Sequence, residues 1–280
     1  MSAGTLVRLD GTVADRSLPL LRADDLGVLR GDGVFEALLV VDGRPWHLEE
    51  HLARLERSAA ALGLRAPDTQ LWRRCLATAI DRHGASGETY ARFFLTRGPE
   101  DGGPQTGFVL LDDVPDSTRR FRAEGVRIVT LTRGHVTVPP EQAPWLLNGA
   151  KTLSYAVNMA AQRWARSHDA DEAVFLAEDG TVLEAPTAAV VLAPGGRRLL
   201  TPSPDLGILP SIALRGLFRA AAAAGWECDH ARLTTADLLG GEGVWLVSSV
   251  RLCARVRSID GTVRPPGPHE EEIAALARRP

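Results

Sequence analysis

The sequence predicts an α/β (α+β) protein of two domains, a small N-terminal α/β domain and a larger C-terminal one built on mostly antiparallel sheet. Strand-like runs closed by Asp-Gly turns alternate with amphipathic helical stretches in both halves. A length of 280 residues suffices for two modest hydrophobic cores. Between the halves, Asp112–Thr118 carries two aspartates, Pro115 and Asp116 and breaks the periodic pattern. The expected division is 1–112, a linker over 113–120, and 121–280.

Thr5–Leu9 and Thr12–Ala14 flank Asp10-Gly11, a two-residue turn, and read as a hairpin. Gly33–Val41 is a strand, Asp42-Gly43 its turn and Arg44–Leu48 the return. A helix begins near Glu49, because Leu48, Leu52, Leu55, Ala59 and Leu62 recur in steps of four and three until Gly63 ends the stripe. Leu71–His83 is a second amphipathic helix, and Thr89–Thr96 and Thr106–Leu111 are strands around the turn-rich Arg97–Gln105. In the second half, strands are expected at Val126–Thr132, Ala173–Ala177, Ala188–Leu192, Val244–Val250 and Ala254–Ile259. Helices are expected from Lys151 toward Arg166 and from about Pro210 to Ala224.

An apolar fraction of 45% and a charged fraction of 24% are ordinary for globular domains and exclude disordered or collagen-like classes. The formal net charge of -3 provides no basic field for a phosphate backbone, so nucleic acid is not an expected partner. The arginines within 119–122 read as solvated surface. Cys75, Cys228 and Cys253 are odd in number and scattered, which fits a reducing cytoplasm and no metal knuckle. The N-terminus lacks an apolar h-region and no stretch reaches about 20 apolar residues, so neither signal peptide nor membrane span is expected. No Walker loop, His-Glu-x-x-His, paired Cys-x-x-Cys or Ser-His-Asp order supports kinase, zinc or hydrolase chemistry.

Lys151 follows Asn148-Gly149-Ala150 at the expected helix start, where the helix dipole disfavours a cation and would lower its pKa. An unprotonated amine there can condense with an aldehyde; the bland alternative is a solvated surface lysine. Tyr155, four residues on, would share its helix face. Glu184 interrupts the apolar run Val182–Thr187, where a carboxylate is costly unless paired, or else faces water in a turn. The stretch Gly207-Ile208-Leu209-Pro210-Ser211-Ile212 precedes a helix whose first N–H groups can hold a phosphate. Arg54 is either a phosphate clamp or a polar-face arginine, and Ser248 and Ser249 either donate hydroxyls or end a strand.

In order along the chain, Arg30–Glu36 (RGDGVFE), His51–Leu55 (HLARL), Lys151–Tyr155 (KTLSY), Leu183–Thr187 (LEAPT), Gly207–Ile212 and Ser248–Arg251 (SSVR) resemble the fold-type IV, or class IV aminotransferase, enzymes. That group includes branched-chain aminotransferase, D-amino acid transaminase and 4-amino-4-deoxychorismate lyase. The resemblance covers nearly the whole chain and implies the D-amino acid aminotransferase-like fold, a homodimer, a small-molecule substrate and pyridoxal 5′-phosphate. It implies that Lys151 carries the cofactor, Glu184 keeps its ring nitrogen protonated and Tyr155 meets its hydroxyl oxygen. Arg54, Ser211, Ser249 and the N–H groups of Ile212 and Ala213 would hold its phosphate. The family often has glycine where Ser211 stands and threonine where Ala213 stands, departures that touch a side-chain contact and not the backbone ones.

D-Amino acid transaminases show an Arg-x-His pair after the strand ending Thr-Arg-Gly and a tyrosine at the place of Phe35. This chain has neither, which argues against that mode of carboxylate binding. Arg92 resembles the substrate-side arginine of branched-chain enzymes, with Arg97, Arg251 and Phe35 as further substrate candidates. The strings Lys151–Ala161 and Ser248–Leu252 look most similar to bacterial aminodeoxychorismate lyases. The expected reaction is therefore conversion of 4-amino-4-deoxychorismate to 4-aminobenzoate and pyruvate in folate precursor synthesis, with L-amino acid transamination as the alternative.

Overall fold

The computed structural model describes residues 4–65, 68–84, 86–134, 138 and 141–279. Contacts along the chain separate two units: unit 1 is Met1–Pro115 with Ala150–Tyr155, and unit 2 is Asp116–Gly149 with Ala156–Pro280.

Unit 1 contains β1 (Thr5–Arg8), β2 (Val13–Ala14), α1 (Leu26–Arg30), β3 (Gly33–Val41), β4 (Arg44–Pro45), α2 (Leu48–Ala61), α3 (Thr69–His83), β5 (Glu88–Thr96) and β6 (Gly107–Asp113). Its sheet runs β2-β1-β6-β5-β3-β4 with every pairing antiparallel. Asp42 and Gly43 both take positive φ, the conformation a two-residue β3–β4 turn needs. Side chains alternate along β3, so Val34, Leu38 and Val40 point into one core with Leu52, Leu55 and Ala59 of α2 and Trp72 and Leu76 of α3.

Glu36 belongs to that same inward row and is 1% exposed. Its cost of burial is met from α2, whose residues 51, 54 and 58 form a polar stripe beside the apolar one. Oε1 of Glu36 accepts from Arg54 Nε at 2.6 Å, and Oε2 accepts from Arg54 Nη2 at 2.8 Å. His51 Nδ1 lies 2.7 Å from Oε2 and carries the shared proton, since a carboxylate can only accept. Burial opposes ionisation of Glu36, but the Arg54 charge and hydrogen bonds, with His51, prevail and lower its pKa to about 2. Burial pushes the His51 pKa down despite Glu36.

The outer edge of β3 is covered twice. β4 pairs with its end at Val40 and Val41, and residues 151–153 pair with its beginning. Phe35 N donates to the Lys151 carbonyl at 3.1 Å, Leu153 N donates to the Gly33 carbonyl at 2.8 Å, and Thr152 bridges Val34 antiparallel. Two glycines permit this approach. Gly31 has φ 68° and would bring a Cβ within 2.8 Å of Ser154 Oγ, while a Cβ on Gly33 would meet the Leu95 carbonyl at 2.6 Å and Leu153 Cδ1 at 2.7 Å.

Unit 2 contains α4 (Asp116–Glu124), β7 (Val126–Thr132), α5 (Ala156–Ser167), β8 (Glu172–Leu176), β9 (Ala189–Ala193), β10 (Arg198–Pro202), α6 (Ile212–Ala223), β11 (Glu227–Ala231), α7 (Thr235–Gly240), β12 (Gly243–Ser248), β13 (Leu252–Ile259), β14 (Thr262–Val263) and α8 (Glu270–Leu276). Its sheet order is β11-β10-β9-β12-β13-β7-β8, antiparallel at the centre and parallel toward both ends, with β14 paired to β13. Leu217, Ala221, Ile273 and Leu276 of α6 and α8 pack on Val191, Trp245 and Val247. Leu238 of α7 and Phe121 of α4 pack with Val190, Leu192 and Leu246, the alternate residues of the same strands. Among the described residues no helix is long and apolar enough to cross a membrane.

The structure thus has the fold class expected, with local differences. The helix expected at Lys151 begins at Ala156, because 151–153 direct their backbone groups to β3. The stretch 113–120 holds no extended linker: β6 runs to Asp113 and α4 starts at Asp116, directly after Pro115. β11 was not expected because its exposed edge residues, ECDHA, lack apolar alternation; parallel pairing with β10 holds it.

Two outcomes follow from unit 1. Gly33→Ala forces a shift of β5 or of residues 151–153 and lowers stability by about 1–3 kcal/mol, read as a lower urea midpoint; an unchanged midpoint would show that the packing at Gly33 is looser than described. His51 and Glu36 both titrate below their ordinary values, so each contributes stability that is lost in acid. The His51 contribution is complete above pH 6.5 and declines below it; that of Glu36 is complete above about 4.5 and vanishes as pH falls through about 2. Glu36→Gln costs about 3–5 kcal/mol at neutral pH and removes the lower of these two acid limbs in urea titrations run at a series of pH values.

Candidate active site

Of 32 lysine and arginine residues, Lys151 is the one lysine. Everywhere else a cationic side chain is needed the chain uses guanidinium, which cannot act as a neutral nucleophile in a protein. The amine that remains is half-buried and fixed at its backbone: Lys151 N donates to Ser58 Oγ at 3.0 Å, and its carbonyl is held by Phe35. Its Nζ stands 4.3 Å from the Phe35 ring centroid and 5.7 Å from that of Tyr155. The two rings meet edge to face, 5.3 Å apart at 88°.

The helix-dipole argument for Lys151 does not apply, since α5 starts five residues later. Ring faces attract a cation instead. Tyr155 comes near Lys151 through a tight turn, its N donating to the Leu153 carbonyl at 2.7 Å, and not through helical spacing. Arg54 is not a polar-face residue: it is 5% exposed, and Glu36 holds its Nε and Nη2 edge. Ser58 and Glu36 complete this cluster of unit 1 and were not singled out from the sequence. Glu36 is detectable by the argument applied to Glu184, a carboxylate at an inward position of an apolar strand.

The outer face of the unit 1 sheet carries Phe35, Phe94 and Phe108 as a cross-strand row, with ring centroids 6.2 and 4.9 Å apart. Arg92 shares that face, lying over the rings of Tyr90 at 5.0 Å and Phe94 at 5.9 Å and paired with Asp112, which Arg16 also engages. Arg92 Nε is buried without a hydrogen-bond partner. Arg97, another of the substrate candidates, is engaged within unit 1. Its Nε and Nη2 grip Asp32 at 2.6 and 3.2 Å, and Nη2 donates to the Leu62 carbonyl at 2.6 Å, so it fastens the end of α2 to the Gly31–Gly33 loop.

In unit 2, Glu184 precedes a two-residue hairpin turn closed by Ala185 and Ala188. Its Oε2 accepts from Leu209 N at 3.2 Å and its Oε1 lies 3.7 Å from Arg133 Nη1, so it is a paired carboxylate and not a turn residue facing water alone. Leu209 leads into Pro210 and α6. Ser211 is the N-cap of that 12-residue helix, its Oγ accepting from Leu214 N at 3.2 Å, which correlates its side chain with the helix rather than leaving it purely as a ligand donor. Ile212 and Ala213 supply first-turn N–H groups. Ser249 and Arg251 sit in the β12–β13 turn. Arg122 of α4 donates to the Val250 carbonyl at 2.6 Å and the Arg251 carbonyl at 3.1 Å, so it is no solvated surface arginine.

Each unit by itself holds groups whose chemistry fits pyridoxal 5′-phosphate: unit 1 an amine seated on aromatic rings, unit 2 a paired carboxylate suited to a protonated ring nitrogen and a helix start with backbone donors suited to a dianion.

Comparison with known proteins agrees. A family model described as amino-transferase class IV matches residues 33–259. A Mycobacterium tuberculosis protein named bifunctional aminodeoxychorismate lyase / D-amino acid transaminase is 43% identical over 97% of this chain and 96% of its own length. The structure of a hypothetical aminotransferase from the same organism, in PLP-bound form, superposes with a TM-score of 0.92 at 42% identity, covering 98% of this chain and 97% of that one. A fold IV-transaminase from Curtobacterium pusillum also gives 0.92, at 37% identity over 99% of this chain and 100% of that one. The chain belongs to the amino-transferase class IV family of pyridoxal phosphate-dependent enzymes.

Proposed function

We propose that the protein is an aminodeoxychorismate lyase, releasing 4-aminobenzoate and pyruvate from 4-amino-4-deoxychorismate. The near full-length 43% identity to a relative bearing that activity in its name carries this reading. When bound, pyridoxal phosphate supplies an electron sink next to the carbon that bears the substrate amine. In this reading Lys151 Nζ would hold the cofactor, and its free amine would take the proton from that carbon. Glu184 holds the proton on the cofactor's ring nitrogen, with Arg133 beside it to balance charge. The Tyr155 hydroxyl meets the ring oxygen. Arg54, Ser249 and the N–H groups of Ile212 and Ala213 bind phosphate, Glu36 fixing the edge from which Arg54 acts.

Arg92 is the first choice for a substrate carboxylate, with Phe35 shaping the space around the amine. Loss of the enolpyruvyl group aromatises the ring, so elimination is strongly downhill. Transamination is the second reading, favoured by the bifunctional name of the same relative. It shares the proton removal by Lys151 and differs in where that proton is returned. By the same family likeness the protein is a homodimer.

Because the chain holds a single lysine, borohydride reduction in the presence of pyridoxal phosphate places one stable adduct, on Lys151, in a tryptic digest. The Lys151→Arg variant takes none there; an adduct on the N-terminal amine alone would remove the cofactor assignment. Incubated with aminodeoxychorismate and no keto acid, the loaded enzyme releases 4-aminobenzoate and pyruvate in equal amounts. Turnover that requires a keto acid and yields its amino acid instead would replace the lyase with the transaminase.

A further inference from the structure

Glu172 has no part in the reading above, yet it is 1% exposed at the start of β8. Its Oε2 accepts from Arg251 Nη2 at 2.8 Å, from Thr187 Oγ1 at 3.2 Å and from Gln162 Nε2 of α5 at 3.2 Å. Each donor comes from a different part of unit 2. Thr187 lies in the hairpin turn that follows Glu184 at once, and α5 holds the same turn a second time, Asn158 Nδ2 donating to the Pro186 carbonyl at 2.8 Å. Arg251 closes the β12–β13 turn that presents Ser249, with its guanidinium 5.6 Å from the Phe121 ring of α4. Arg122, next to Phe121 on α4, holds two carbonyls of that turn.

We infer that Glu172 is a positioning residue for the cofactor: one buried carboxylate ties both the turn that follows Glu184 and the turn that carries Ser249. This rests on the assignment of those two residues to pyridoxal phosphate. Backbone pairing fixes each turn only at its ends, through Phe175 N donating to the Glu184 carbonyl at 2.9 Å and Ala185 pairing with Ala188 in one, and through Ser248 pairing with Leu252 in the other; side-chain ties hold the residues between. A charge-assisted bond from Arg251 and a hydroxyl from Thr187 meet at one oxygen, so a shift of either turn is felt at the other. A buried ion pair is weak evidence for stability, since apolar residues of the same shape stabilise as well; retention of one here fits a geometric role.

The test compares Glu172→Gln, Arg251→Met and the double variant, as purified apo-proteins, by urea midpoint and by titration with pyridoxal phosphate followed at the absorbance of the Lys151 adduct. Glu172→Gln is expected to weaken cofactor binding tenfold or more. The double variant, free of an unpaired buried charge, is expected to recover the urea midpoint toward the parent value but not the affinity. Wild-type affinity in folded Glu172→Gln, or affinity restored together with stability in the double variant, overturns the inference and leaves the cofactor assignment intact. Failure of the parent protein to form the Lys151 adduct overturns both.

Discussion

Two backbone hydrogen bonds along the first residues of β3, from Phe35 N to the Lys151 carbonyl and from Leu153 N to the Gly33 carbonyl, decide where the amine of this protein can be. They turn what would be a helix start into a short extended segment. Alternation along that segment and β3 then brings Nζ over Phe35, whose ring meets that of Tyr155 edge to face. The arrangement needs close backbone approach at Gly31 and Gly33, and it needs Ser58 on α2 to receive the Lys151 N–H. Each requirement is local and covalently simple, and together they place the amine on a sheet edge instead of a loop.

Both units solve the same electrostatic problem in the same way. Each buries one glutamate almost completely, Glu36 in unit 1 and Glu172 in unit 2, and surrounds it with an arginine and neutral or weakly basic hydrogen-bond partners. Guanidinium suits this work because its planar fork reaches a carboxylate through two donors without losing its charge on burial. In the unit 1 cluster the carboxylate stays ionised even though burial alone would neutralise it. The cost of such pairs in desolvation is offset by direction: an arginine held along one edge can present only its other side.

Much of this was legible in the sequence. β3 and β7 have the bounds read from their apolar runs, and α2 follows the stripe Leu48, Leu52, Leu55, Ala59. Those elements obey local periodicity, so a single chain suffices to see them. Lys151 and Glu184 stood out by residue type, although the helix start expected at Lys151 is an extended segment paired with β3. What escaped was decided by partners distant in sequence: Thr152 bridging Val34, Arg97 closing on Leu62, and Arg122 reaching Val250. Glu36 and Glu172 were missed for a different reason, as strand carboxylates whose donors are only evident once α2 and the β12–β13 turn are in place.

Residues 150–155 belong to unit 1 although most of unit 2 follows them and part of it precedes them. During synthesis the outer edge of β3 is therefore complete only after the chain has passed through α4 and β7. A nascent unit 1 leaves the ribosome with peptide groups on that edge unmatched, open to any extended segment that can reach them. The segment that carries Lys151 is also the stopper that closes this edge, so the chain seats its one lysine and loses a site for misassembly in one folding event.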